Sequence, residues 1–136
     1  GPADAVVTPE DDKELREILS FCRKNEIEWV LLGRGSNILA PDEGVRGIII
    51  VLGDNFKTTA PDPQPVGKNM LVKVGGATPL SRLADLVMEA GLSGLEFAAG
   101  IPGSVGGAVA MNAGAWGRDV SQVLASVKMI SAEREV

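Results

Sequence analysis

Residues 100–117, GIPGSVGGAVAMNAGAWG, hold six of the chain's 17 glycines and no charged side chain. So little side chain in one place limits the fold in one of two ways. Either the backbone turns too tightly for a Cβ, or something large must touch the backbone itself. A second glycine-rich stretch, GRGSN at 33–37, poses the same alternative.

At 136 residues the chain fits one domain, able to bury roughly two-thirds of its unfolded surface. A hydrophobic content of 45% with 23% charge is that of a globular chain and excludes a disordered tail. The net charge of −5 argues against nucleic acid as a partner, because no basic field draws in phosphates. An anionic ligand must therefore be held by local groups. One cysteine, Cys22, allows no internal disulfide, and with no histidine a conventional zinc site is not expected. No apolar run reaches the roughly 18 residues of a membrane span, and the start does not resemble a signal peptide. The expectation is a soluble, cytoplasmic protein without a membrane or metal partner.

Helix and strand signals alternate along the chain. TPEDDKELREILSFCRKN predicts a helix capped by Thr8, with Pro9 at its first position and acids in its first turn. Leu15, Ile18, Leu19 and Cys22 recur at helical spacing, which places Cys22 in the core. IEWVLL (27–32) predicts a short buried strand and GIIIVL (47–52) a second one. The Pro-rich APDPQPVGKN (60–69) reads as a surface turn that divides the chain, with MLVKVGG as a strand after it. TPLSRLADLVMEAG repeats the first helix's grammar, with Thr78 as cap, Pro79 at the first position and Gly91 as stop. Alternation of Val123, Ala125, Val127 and Met129 predicts a closing strand. The class is α+β, in two lobes of about 1–56 and 57–136.

Each glycine-rich segment is either a structural turn or a cradle whose backbone N–H groups hold phosphate. The common nucleotide fingerprints fail: Ile38 stands where G-x-G-x-x-G needs its third glycine, and no P-loop lysine follows. GSVGGAVAMN predicts a short helix of small residues, capped by Ser104, its N-terminus open to an anion. A side chain at Gly103 is expected to obstruct ligand more than folding, while Gly35 is expected to need an unusual φ as well. Two such segments in one acidic domain point towards a dinucleotide. Asp42 and Glu43 in PDEG read as a turn, not as an acid–base pair, and Arg46, Arg82 and Arg118 as solvated.

LLGRGSNILAPDEGVRGIII and GLSGLEFAAGIPGSVGGAVAMNAGAWG resemble the signature segments of the bacterial UDP-N-acetylenolpyruvoylglucosamine reductase family, over nearly the whole chain. The resemblance implies an FAD-binding domain of the vanillyl-alcohol-oxidase type, with the cofactor between two α+β lobes. By that likeness Gly33, Arg34, Gly35, Ser36 and Asn37 would wrap the pyrophosphate. Gly100, Ile101, Pro102, Gly103, Ser104, Gly106 and Gly107, with Asn112, would run along the pyrophosphate and flavin. Trp116 stands where the family often has tyrosine, and reads as a packing aromatic.

The family's chemistry passes a hydride from NADPH through the flavin to the enolpyruvyl double bond of a UDP-sugar, in peptidoglycan precursor synthesis. An arginine and a glutamate stabilise the enol-like charge and a serine supplies the proton. In the family these three lie in or beyond a segment like YRxS, which this chain does not contain. The expectation is thus the flavin domain of a longer enzyme, with no catalytic residue of its own. Without histidine the His-linked flavin of some relatives of the fold is excluded, so FAD binding is expected to be non-covalent. The alternatives are the FAD domain of another oxidase or dehydrogenase of this fold, or a non-catalytic fragment.

Overall fold

The computed structural model of the chain describes residues 1–58, 60 and 62–130. Its first half is built on three parallel strands, β1 (Ala3–Val7), β2 (Trp29–Leu31) and β3 (Val45–Ile50), in the order β1-β3-β2. Helix α1 (Asp12–Lys24) connects β1 to β2, and residues 32–44 return the chain from the end of β2 to the start of β3. β1 was not foreseen as a strand. β3 starts earlier than expected because Gly47, at φ +98°, sits inside it at a register shift. A Cβ there would lie 2.3 Å from the Glu28 carbonyl oxygen, so this bulge requires glycine.

Leu15, Leu19 and Cys22 of α1 are buried, and Leu15 and Leu19 form a core with Ile50, against which Val7, Ile48 and Phe56 pack. Cys22 is in the core as expected, and burial pushes its thiol up in pKa, which makes it a poor nucleophile. Ile50 is fully buried, and its truncation to alanine carries the usual cost of about 2–5 kcal/mol. β2 differs from expectation. Trp29, Val30 and Leu31 remain 41–51% exposed, because β2 is an edge strand and none of its side chains joins the α1 cluster.

The helix starts also differ. α1 begins at Asp12, not at Pro9, and is capped by Asp11, whose carboxylate accepts from the Glu14 N–H at 2.8 Å. Pro9 stays outside because its carbonyl accepts from the Gly53 N–H. The second helix, α2 (Leu80–Glu89), has no side-chain cap. Thr78 is instead buried and accepts from the Thr58 N–H at 2.8 Å, while the Leu80 N–H donates to the Gly103 carbonyl.

The Pro-rich stretch supplies one strand of a hairpin, β4 (Gln64–Val66) with β5 (Asn69–Leu71). β5 ends at Leu71, so the strand expected through 76 stops short. After α2 come the short helix α3 (Val105–Ala110) and the hairpin β6 (Gly114–Ala115) with β7 (Arg118–Asp119). Leu80, Ala84, Phe97, Ala98, Ala108 and Val120 form this half's core. Arg118 lies over the Phe97 ring at 5.9 Å and reaches Glu96 at 3.8 Å, so it is not merely solvated. Arg46 and Arg82 are solvated as expected, each beside an exposed carboxylate, Asp4 and Glu89. Trp116 does not pack. At φ +57° in the β6–β7 turn it is 93% exposed.

Helices α1, α2 and α3 end in the same way. The residue two past the last helical one has positive φ, at Glu26, Gly91 and Asn112, and the next N–H reaches back to Cys22, Val87 and Ala108. Gly91 was foreseen. Glu26, at φ +53°, carries a Cβ where glycine is preferred. Glu26→Gly is expected to stabilise the chain by about 0.5–1 kcal/mol, read as a higher urea midpoint with an unchanged slope.

Among the described residues the closing segment forms no strand beyond a bridge at Ile130, and Val123, Val127 and Met129 are exposed. Instead Lys128 Nζ donates to Asp12 Oδ2 at 2.5 Å, and Ile130 packs against the first-half core. The Lys128 hydrogen bond holds the Asp12 carboxyl below its ordinary pKa. A depressed carboxyl stabilises the fold above the unfolded aspartate range near pH 3.9 and loses that contribution as pH falls through the folded value. Asp12→Asn should therefore lower the melting temperature slightly at pH 7, with the gap closing below about pH 3–4; an equal gap at every pH would remove the ion pair as its cause.

Candidate functional site

In open parallel sheets, ligands gather beyond the carboxyl ends of the strands. Here Leu31 and Leu32 at the end of β2, with Val51 and Leu52 after β3, form the apolar floor of a cleft of about 250 Å³. Gly33 and Arg34 form one wall; Ser104, Gly106, Gly107 and Ala110 form another. Lys57, Gly76 and Ala77 complete it. Among the described residues two cations and no carboxylate line this cleft, in a chain whose net charge is −5. It is a local exception to the chain's own field.

The fold brings the two glycine-rich segments together. The Ser36 hydroxyl donates to the Pro102 carbonyl at 3.1 Å, and Asn37 Nδ2 reaches the Met111 sulfur at 3.1 Å. A Cβ on Gly33 would lie 2.6 Å from Ser104 Oγ, and one on Gly103 would lie 3.1 Å from Ser36 Oγ. Gly35 has φ +70° and open space around it, so its glycine serves the turn. Gly103 has φ +133°, where any side chain is strained whether or not a ligand is present. That corrects the expectation that Gly103 would tolerate a side chain in the free protein.

At the start of α3, where an anion site is expected, the N–H groups already have acceptors within the chain. Ser104 caps the helix as predicted, its Oγ accepting from the Gly107 N–H. The Val105 N–H, however, donates to the Thr78 carbonyl and the Gly106 N–H to the Gly76 carbonyl, both at 2.8 Å. Backbone carbonyls have taken the donors that an anion would use. The 33–37 loop is different. None of its backbone N–H groups donates to an acceptor among the described residues, and all five residues are exposed. Donors for an anion lie in this loop, beside Arg34.

Of the residues singled out in the sequence, Gly33, Arg34, Ser104, Gly106 and Gly107 line the cleft, and Gly35, Ser36, Asn37, Pro102 and Gly103 shape the seam beside it. Gly100 borders open space, and Ile101 packs against the second core. Asn112 closes α3, and its Oδ1 accepts from the Ser121 N–H at 2.9 Å. The sequence reading missed Lys57 and the Gly75–Gly76–Ala77 segment. The glycine pair was a signal for the latter: a Cβ on Gly75 would lie 2.1 Å from the Phe56 carbonyl, and one on Gly106 3.1 Å from that of Gly76. Among the described residues no group of three or more Cys, Asp or Glu side chains is placed to hold a metal, and no helix is long and apolar enough to cross a membrane.

A parallel sheet with a crossing glycine loop above its carboxyl ends, packed against a second glycine-rich segment, is the arrangement of a flavin-dinucleotide domain. Residues 3–136 match the FAD binding domain family, and the chain belongs to it. Its fold is the α+β FAD-binding domain of the vanillyl-alcohol-oxidase type. More particularly, the chain is homologous to UDP-N-acetylenolpyruvoylglucosamine reductases. It is 48% identical over 124 residues to that of Bacillus licheniformis, covering 91% of this chain and 39% of the relative. It is 42% identical over 136 residues to that of Heliobacterium modesticaldum, covering 100% and 41%. The crystal structure of the Thermus caldophilus reductase superposes with a TM-score of 0.63 at 39% identity, over 84% of this chain and 37% of that one. The chain thus spans about two-fifths of the length of the curated relatives it matches.

The Gly33–Ser104 contact is directly testable. Gly33→Ala forces the Ser104 hydroxyl off its cap and is expected to cost about 1 kcal/mol, the usual worth of a cap. In a Ser104→Ala background the same change should cost clearly less, since the Cβ of residue 104 lies 3.6 Å away. Additive losses in this double-mutant cycle would show that the two segments do not touch.

Proposed function

We propose that this chain is the FAD-binding part of an NADPH-dependent reductase that converts UDP-N-acetylenolpyruvoylglucosamine to UDP-N-acetylmuramate, acting in the cytoplasm. The homology to the reductases supports the reaction class. The observation that carries the cofactor reading is the 33–37 loop, whose N–H groups have no acceptor among the described residues, with Arg34 lining a cleft to which the described residues bring no carboxylate. In this reading that loop holds the diphosphate. Gly103, Ser104, Gly106 and Gly107 offer backbone with little side chain to the rest of the cofactor, with Gly100 to Pro102 and Asn112 alongside. The residues fit FAD in part: clefts for drug-sized ligands run about 300–1,000 Å³, so this one encloses a segment of a dinucleotide and leaves the remainder exposed.

When bound, FAD supplies the hydride relay between NADPH and the enolpyruvyl group of the UDP-sugar. The chain's own residues bind and orient. Its backbone N–H groups and Arg34 neutralise the diphosphate, and the apolar ends of β2 and β3 keep water from one side of the cleft. Ser36 and Ser104 are assigned no proton-transfer role, because they are engaged with Pro102 and Gly107. We divide the domain into lobes of about 1–56 and 57–136. Each has its own hydrophobic core, although Ile130 crosses to the first.

Protein reconstituted with FAD is expected to show a flavin absorbance spectrum and to release all of the flavin on acid denaturation. The same sample should not turn over NADPH with the enolpyruvyl UDP-sugar, since missing proton-donor and charge-stabilising groups cost about tenfold per 1.4 kcal/mol. Flavin retained after denaturation, or turnover at a complete enzyme's rate, contradicts this assignment.

A further inference from the structure

The geometry points to Lys57 as a cofactor-recognising residue: its ammonium rests on Asp54 in the free protein and transfers to the diphosphate of bound FAD. This rests on the FAD reading above.

The backbone at Lys57 is held firmly from both sides. On one side the Ala77 N–H donates to the Phe56 carbonyl at 3.0 Å, with Gly75 too close to that carbonyl to carry a Cβ. On the other, the Thr58 N–H donates to Thr78 Oγ1 and the Thr58 hydroxyl accepts from the Gly75 N–H, both at 2.8 Å. These bonds fix the backbone of Lys57 beside Gly76 and Ala77, in the same cleft that Gly33 and Arg34 line. Only the side chain is left to move.

Its partner is weakly placed to keep it. Lys57 Nζ meets Asp54 Oδ1 at 2.5 Å, but the side chains are 43% and 87% exposed, and such surface pairs contribute little. A diphosphate held by the 33–37 loop would bring two negative charges into a cleft with Arg34 and, among the described residues, no acid. A charge-assisted hydrogen bond inside that cleft outweighs an exposed one three residues away. Asp54 thus acts as a parking site for the Lys57 ammonium and competes with the cofactor for it.

The opposite signs of two variants test this. Lys57→Met keeps the apolar stem and removes the charge; Asp54→Asn keeps the shape and releases the lysine. The backbone bond from the Lys57 N–H to the Asp54 carbonyl is available to both. FAD binding would be followed by quenching of flavin fluorescence at low and high salt, alongside the melting temperature of the free protein. Lys57→Met is expected to weaken FAD about tenfold and to flatten the salt dependence, and Asp54→Asn to tighten FAD severalfold, with little change in either free protein's melting temperature. Equal affinities in both variants and wild type would overturn the proposal and leave the FAD reading intact. So would parallel losses in both variants with lower melting temperatures, which mark a merely structural ion pair. Failure of the wild-type chain itself to bind FAD would instead overturn the FAD reading, and this inference with it.

Discussion

The architecture of the site depends on one short backbone pairing. Residues 76–80 and 103–106 are joined by hydrogen bonds from Val105 to Thr78, from Gly106 to Gly76 and from Leu80 to Gly103, at 2.8–3.0 Å. They lie so close that a Cβ on Gly106 would approach the Gly76 carbonyl to 3.1 Å. Through these bonds the starts of α2 and α3 satisfy each other, in place of the side-chain cap that α2 lacks. The same bonds occupy the N–H groups that a helix N-terminus offers an anion. The exposed loop after β2 keeps its own N–H groups free of acceptors among the described residues, and we propose that it holds the charge.

Such a division of labour, as proposed, would let an acidic domain of an FAD-binding family receive an anionic cofactor. The net field repels phosphate, so attraction must be local and short in range. Arg34 and Lys57 line a cleft to which the described residues bring no carboxylate, and the loop at 33–37 adds backbone dipoles without added bulk. The small residues of α3 bring its backbone, not its side chains, to the cleft wall. Glycine there does two things at once. It permits the close pairing beneath, and it leaves space above.

The ends of the chain show a second kind of dependence. Ile130 packs into the core of Leu15, Leu19 and Ile50, and Lys128 pairs with Asp12 at the start of α1. The last described residues therefore fasten onto the first helix, far away in sequence. Contacts of this kind leave no local pattern. Alternating apolar residues from Val123 to Met129 read as strand, yet among the described residues Val123, Val127 and Met129 stay exposed and only Ile130 makes a bridge.

What the sequence determined by itself was whatever depends on near neighbours and on shared motifs. The apolar spacing of Leu15, Leu19 and Cys22, the cap at Ser104 and the stop at Gly91 are local, and each stands where the residues placed it. The G-R-G-S-N and G-I-P-G-S-V-G-G motifs likewise identified the family, because their order along the chain is itself specific. Only tertiary structure decided the rest. Thr8 and Thr78 read as caps, but partners distant in sequence moved both helix starts: Gly53 claims Pro9, and Gly103 with Thr58 claims the start of α2. β2 reads as buried, but its place at the sheet edge leaves it half exposed. Lys57 carries no motif and enters the cleft only because Phe56 and Thr58 are bonded to residues some twenty positions later. Propensity and motif act over a few residues, whereas a binding site is assembled from backbone groups that meet only once the chain has closed on itself.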